Sequence, residues 1–300
     1  MILAVGEILF DYFPEGKRLG GAPFNFAAHL KSLGLPVTFV SRVGMDADGD
    51  EILDAIARRG FDPAAIQRDP ERPTGRVTVA LDENGVPEFT IVPDVAYDRL
   101  AYTEALAAVL SQPPDMIYFG TLIQRSEAAP TVMKILETRP PSTRCICDLN
   151  LREDCYDMNS ITRSLIHSDI LKLSDGELSI LQERFDVQTT PERFIDDLMH
   201  NFSIAWVSLT SGVQGSTLFT RDGVFAVAPD KTDTVVDTVG AGDGYAAILA
   251  AGRLLGWPPD LILRRAARFA GALCRLPGAI PDEPDFYQPF RSWMRTGGDA

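Results

Sequence analysis

The chain has 300 residues, 45% hydrophobic and 23% charged, which is enough to bury a large core as one α/β domain. Its 28 Lys and Arg against 42 Asp and Glu leave a formal net charge of −14, which excludes an extended nucleic-acid or anionic-membrane surface, since those partners need clustered basic residues. The 4 cysteines form no Cys-x-x-Cys pair, the 3 histidines are scattered, and no apolar run reaches membrane-span length, so a disulfide framework, a zinc site and a membrane anchor are not expected and a cytoplasmic location is.

In chain order, residues 2–9 read as a buried strand entered without a basic signal segment. Asp11 and a short polar excursion follow, and then Leu19-Gly20-Gly21-Ala22-Pro23-Phe24-Asn25 opens a helix. Locally, Asp11 is either a ligand or a turn residue, and Asn25 either a contact or an exposed polar residue of a first helical turn. Residues 37–43 read as the next strand. The acid-rich stretch 46–51 is a helix start and not a calcium loop, because Glu51 stands where that loop needs Gly and Ala57 where it closes on Glu. Residues 77–81 and 87–91 read as two strands around a turn at 82–85. This hairpin is either an edge of the main sheet or, with residues 12–20, a small β lid spanning about 74–95.

Further strands at 116–119, 145–147, 170–173 and 206–209 alternate with helical segments, which predicts a mainly parallel sheet covered by helices. Asp148-Leu149-Asn150-Leu151-Arg152 falls at the carboxyl end of one such strand, where open α/β sheets bind ligands. Arg152 serves that site or pairs with Glu153 or Asp154.

The segment Asp237-Thr238-Val239-Gly240-Ala241-Gly242-Asp243, followed by a small-residue helical run, is the most informative. Gly240 and Gly242 lack a Cβ, so backbone N–H groups can close on phosphate oxygens. The helix that begins there points its own unpaired N–H groups and the positive end of its dipole at the same place. A carboxylate does not hold phosphate, so Asp243 needs another role, and accepting the proton of an attacking alcohol fits; the dipole is expected to keep it ionised. The alternative is that Asp243 only caps the helix. No Gly-x-x-x-x-Gly-Lys-Ser/Thr occurs, nor do the His-Arg-Asp and Asp-Phe-Gly elements of protein kinases.

Asp-Thr-x-Gly-Ala-Gly-Asp resembles the C-terminal signature of the PfkB, or ribokinase-like, sugar kinases, and the resemblance extends over nearly the whole chain. It implies an α/β, ribokinase-like three-layer fold with a mainly parallel central sheet and a small β lid. Asp243 would be the catalytic base, with Gly240, Ala241 and Gly242 forming the anion hole. Asp11, Gly21, Asn25, Asn150 and Arg152 would bind the sugar, Gly20-Gly21 acting as a hinge under the lid. The run from Ile170 to Glu177 is similar to the family's Asn-x-x-Glu element with Ser174 in place of Asn, which places Lys172 and Ser174 with the nucleotide and Glu177 near magnesium. Thr210, Gly212 and Gly215 resemble the Thr-x-Gly-x-x-Gly turn lining the nucleotide pocket. Asp237 and the carbonyls of Val239 and Gly278 would take a potassium-like ion.

The implied activity is an ATP- and magnesium-dependent sugar kinase, closest in appearance to the fructokinase branch, with a free small-molecule sugar as substrate and a homodimer through the lid. Fructose is the first expectation; ribose, 2-keto-3-deoxygluconate and nucleosides stay open. The rival from another class is a non-catalytic sugar or nucleotide sensor of the same fold.

Overall fold

The structure is a computed structural model and describes residues 1–81, 87–228 and 235–295. Strands β1 (Ile2–Val5), β2 (Leu9–Phe13) and β3 (Gly16–Gly20) precede helix α1 (Ala22–Ser32), followed by β4 (Val37–Gly44), α2 (Ala47–Arg58) and β5 (Ile66–Asp69). Next come β6 (Gly75–Leu81), β7 (Pro87–Ile91), α3 (Glu104–Val109), β8 (Met116–Gly120), α4 (Ala129–Glu137) and β9 (Arg144–Asp148). The second half carries α5 (Met158–His167), β10 (Ile170–Ser174), α6 (Asp175–Arg184), α7 (Pro191–Asn201) and β11 (Trp206–Thr210). It ends with β12 (Ser216–Thr220), β13 (Gly223–Val227), α8 (Ala241–Leu254) and α9 (Pro259–Leu273).

Nine strands form one sheet in the order β13-β12-β11-β10-β9-β8-β1-β4-β5. Its interior is parallel, and only β12 runs against the other strands, pairing antiparallel with β11 and with the edge strand β13. Such strands are covered on both faces, which explains their unbroken apolar runs. Ile2 and Ala4 point into the core under α1, α8 and α9, while Leu3 and Val5 point into the core under α4 to α7. Each fully buried Leu or Ile contributes roughly 1.5–3 kcal/mol to holding these layers together. Among the described residues no helix is long and apolar enough to cross a membrane.

A second sheet, β3-β2-β6-β7, combines the two segments expected to form a lid. β2 and β6 pair parallel, and β3 and β7 flank them antiparallel. The expected turn at 82–85 lies outside the described residues. The acid-rich helix start is α2, whose N-cap Asp46 accepts from the Gly49 N–H at 2.8 Å.

One expectation changes. Residues 2–9 are not a single strand: β1 ends at Val5 in the large sheet and β2 begins at Leu9 in the small one. The apolar run continues through the crossing because Glu7, Ile8 and Leu9 are as buried as the strands on either side. Hydrophobicity therefore could not mark the break.

Candidate active site

The carboxyl ends of β1, β9 and β10 meet the N-termini of α1 and α8, and there the expected site residues gather. Gly240 is the N-cap of α8 and adopts a left-handed φ of 78°. A Cβ at that position would lie 2.5 Å from the backbone of Ala279, so both conformation and space demand glycine. The turn is tightened by the Ala241 N–H, which donates to the Thr238 carbonyl at 3.3 Å. The Ala241 N–H, expected to be an anion donor, is thereby engaged. Those of Gly242 and Asp243 lie in the first turn of α8, where the helix offers no acceptor one turn back.

Asp243 is the third residue of α8. Its Oδ2 accepts from Asn25 Nδ2 at 2.8 Å, and Asn25 is itself buried on α1. The carboxyl is held above the usual carboxylate range: burial dominates, with the Asn25 bond and the charges of Lys172 and Arg152 pulling it back. Burial thus works against the helix dipole, which is expected to keep Asp243 ionised. A raised affinity for protons suits a group that must accept one.

Asp11 on β2 is pushed up to about 6 by burial, against the charges of Arg152 and Arg18. Gly21 precedes α1 with φ 108°, and a Cβ there would meet the Glu7 carbonyl oxygen at 2.6 Å. Asn150 has a left-handed φ of 42° and lines a narrow cleft with Glu7, Ala22, Tyr118 and Asp148. Arg152 is exposed, and its charge reaches Glu7, Asp11 and Asp243. Among the described residues it forms no ion pair, with Glu153 and Asp154 or otherwise.

Lys172 lies beneath the anion turn and not in the nucleotide cavity. Its Nζ donates to both Asp148 oxygens, at 2.9 and 3.0 Å, and a Cβ on Gly242 would be 3.1 Å from it. Burial alone would lower the Lys172 ammonium, but Asp148 and Glu177 hold it above its ordinary value, while burial pushes Asp148 up to about 6, so the pair is ionised near neutral pH and loses its carboxylate charge as pH falls through about 6. Ser174 is the N-cap of α6 in a reciprocal bond with Glu177. Glu177 accepts from Ser174 N (2.7 Å), Ser174 Oγ (2.9 Å) and Leu151 N (2.7 Å), tying the loop with Asn150 and Arg152 to α6. With three protein donors already on it, this carboxylate fits a metal held through water better than direct ligation. Among the described residues no group of three or more His, Cys, Asp or Glu could hold a metal ion.

Asp237 accepts from Val239 N at 3.0 Å and Gly278 N at 2.9 Å, which brings the three candidate cation residues together. Thr210, Gly212 and Gly215 line a cavity of about 470 Å³ that ends at Ala241 and Gly242 of the anion turn. Its remaining wall includes Val235, Ala267, Ala270 and Cys274, an apolar surface suited to a flat heterocycle.

Sequence reasoning gave Glu7 no role. It is 3% exposed, its Oε2 has no partner, and burial pushes it up to about 7. Its one local signal was a charged residue inside an apolar run. The α9 wall of the cavity was also missed, because small apolar residues on a helix carry no sequence signature of a pocket.

The sequence model described as pfkB family carbohydrate kinase matches residues 15–285. A fructokinase of Rhizobium leguminosarum bv. trifolii is 30% identical, covering 84% of this chain and 79% of its own length. A 5-dehydro-2-deoxygluconokinase of Clostridium perfringens is 25% identical over 85% of this chain and 81% of its own. An uncharacterized sugar kinase of Pyrococcus horikoshii, solved in complex with ATP, superposes with a TM-score of 0.77 at 25% identity, covering 93% of this chain and 94% of that one.

Proposed function

The chain belongs to the pfkB family of carbohydrate kinases, and from that membership we propose that it transfers the γ-phosphoryl group of ATP to a primary hydroxyl of a free sugar, with fructose as the first candidate. The observation that carries the reading is Asp243, placed by α8 beside the anion turn and fixed by Asn25. The sugar oxygen attacks the γ-phosphorus, its proton passes to Asp243, and the bond from phosphorus to ADP breaks. Such transition states are loose, so the Gly242 and Asp243 N–H groups and the Lys172 ammonium beneath them act mainly by positioning and by meeting charge on the transferring oxygens. Asp11, Asn25, Asn150 and Arg152 hold the sugar. The apolar cavity takes the nucleotide base.

Magnesium, carried in with the nucleotide, would neutralise phosphate charge and meet Glu177 through water. A potassium-sized ion would sit by Asp237, Val239 and Gly278. The small sheet, closing over the sugar, excludes water that would otherwise take the phosphoryl group, and pairs with a second copy.

A second reading, an acidic sugar such as 2-keto-3-deoxygluconate, is favoured by one observation: the exposed Arg152 guanidinium, without an ion-pair partner among the described residues, faces the same space as Asp11. The deciding experiment is ADP formation from ATP, magnesium and potassium with fructose, ribose, 2-keto-3-deoxygluconate and nucleosides in turn, with Asp243→Ala as the blank. Sugar-dependent ADP that vanishes in the variant supports the kinase and selects between the readings. Silence with every acceptor, with ATP still bound, overturns catalysis in favour of a sensor.

A further inference from the structure

Resting on that reading, we propose that Arg18 of the small sheet is a catalytic residue that contacts the phosphoryl group in transit. Arg18 stands directly across from Asp11 in the antiparallel pair of β2 and β3, so the two side chains share one face of that sheet. Its charge acts on Asp11, the residue assigned to the sugar. In the other direction its Nη1 lies 3.6 Å from Asp237 Oδ2, at the entry of the anion turn. One guanidinium therefore lies between the Asp11 carboxylate and the phosphate loop, and it is carried by the small sheet while the loop leads into α8.

The contact with Asp237 is a placeholder. At 3.6 Å it exceeds hydrogen-bond length, and both Asp237 oxygens already accept from backbone, one from Val239 N and one from Gly278 N. The guanidinium has no hydrogen-bonded acceptor among the described residues, while the Phe13 ring, 4.9 Å from its central carbon, braces the side chain. Five donors in a fixed fork match phosphate oxygens better than a carboxylate already shared with two backbone N–H groups. When the γ-phosphoryl group occupies the turn, Arg18 moves to it from Asp237. It neither gains nor loses a proton: the phosphorus–oxygen bond to ADP breaks, the bond to the sugar oxygen forms, and Asp243 takes the sugar proton. Transfer thereby requires the small sheet to be in place, since that sheet carries the donor.

The test uses the full-length enzyme, Arg18→Ala and Arg18→Lys, with the sugar that the wild type turns over. Expected is a kcat lower by about 10- to 100-fold in Arg18→Ala, with partial recovery in Arg18→Lys. The affinity for ADP alone stays within about two-fold, while the tightening of ADP by aluminium fluoride in the presence of sugar, a mimic of the transferring phosphoryl group, is lost. A merely structural Arg18 would not separate those two affinities. A kcat within about two-fold of wild type, or an equal loss of ADP affinity with and without aluminium fluoride, overturns the proposal. If the wild type itself forms no sugar-dependent ADP, the kinase reading fails first and this one with it; an active wild type with an equally active Arg18→Ala defeats this one alone.

Discussion

Asn25 and Asp243, 218 positions apart, are joined by a 2.8 Å hydrogen bond from the Asn25 amide to Oδ2 of the carboxylate. The bond ties the first turn of α1 to the first turn of α8, and it engages only one of the two Asp243 oxygens. It also lowers the carboxyl's affinity for protons against the burial that raises it. Asn25→Ala is therefore expected to move the acid limb of the kcat profile to higher pH, because a base that holds its proton more tightly is inactive over a wider acidic range. Sugar KM rises as well. An unchanged pH profile would show that the bond does not tune the base.

Asp243→Asn keeps the shape of the turn and the partner of Asn25 but removes the proton acceptor. The expected loss in kcat is about 10²- to 10⁴-fold, with a smaller change in sugar affinity, measured by steady-state kinetics beside titration calorimetry. Retention of full activity would remove Asp243 from the chemistry.

Arg152→Ala should raise the sugar KM and leave the KM for ATP near its wild-type value, since the Arg152 charge acts on Glu7 and on Asp11, which is proposed to hold the sugar. If the ATP KM rises and the sugar KM does not, Arg152 belongs to the nucleotide.

The buried Asp148 and Lys172 form an ion pair whose partners are difficult to remove singly. Lys172→Met leaves the buried Asp148 carboxyl with the Tyr118 hydroxyl, at 3.3 Å, but no cation, and is expected to cost about 3–5 kcal/mol in urea unfolding. Adding Asp148→Leu should return much of the stability without returning activity, because the cation beneath Gly242 stays absent. A double variant as active as wild type would reduce the pair to a packing element.

Glu7 gives stability a pH dependence. Its carboxyl is near 4.5 when free and pushed up to about 7 in the fold, so the folded state holds the proton longer than the unfolded one. The protonated form is tolerated and the charged form is not. Its contribution is intact below about pH 4.5 and is lost as pH rises through about 7, by up to about 3 kcal/mol. Glu7→Gln should therefore melt higher than wild type at pH 8 and show a smaller gain at pH 5. Parallel melting curves at both pH values would contradict the assignment.

What the sequence disclosed was mostly local. The turn from Asp237 to Asp243 announces itself because its glycines, its acid and its helix are contiguous, and the parallel strands do so because burial on both faces leaves an unbroken apolar run. The hairpin of β12 and β13 was not anticipated, since its strands end the sheet antiparallel and Val224 is exposed. The break between β1 and β2 was hidden by continuous burial. The pairing of Asn25 with Asp243, of Lys172 with Asp148 and of Arg18 with Asp237 depends on the tertiary arrangement, which no spacing along the chain encodes. Even the placement of Lys172 under the turn, and not in the cavity, follows from the pleat of β10 and from Asp148 on the neighbouring strand.

The small sheet is stitched from two distant stretches: Leu9 pairs with Gly75 and Tyr12 with Thr78. The β2–β3 hairpin made early in synthesis consequently has an open edge until α1, β4, α2 and β5 have been laid down and β6 arrives. Closing that loop carries an entropic cost, and the strands it joins are less buried than those of the main sheet: β2 and β3 are partly exposed while β1 and β8 are buried throughout. The amides of the small sheet are therefore expected to exchange with solvent deuterium while those of β1 and β8 are still protected, so that this sheet can open without the core opening with it.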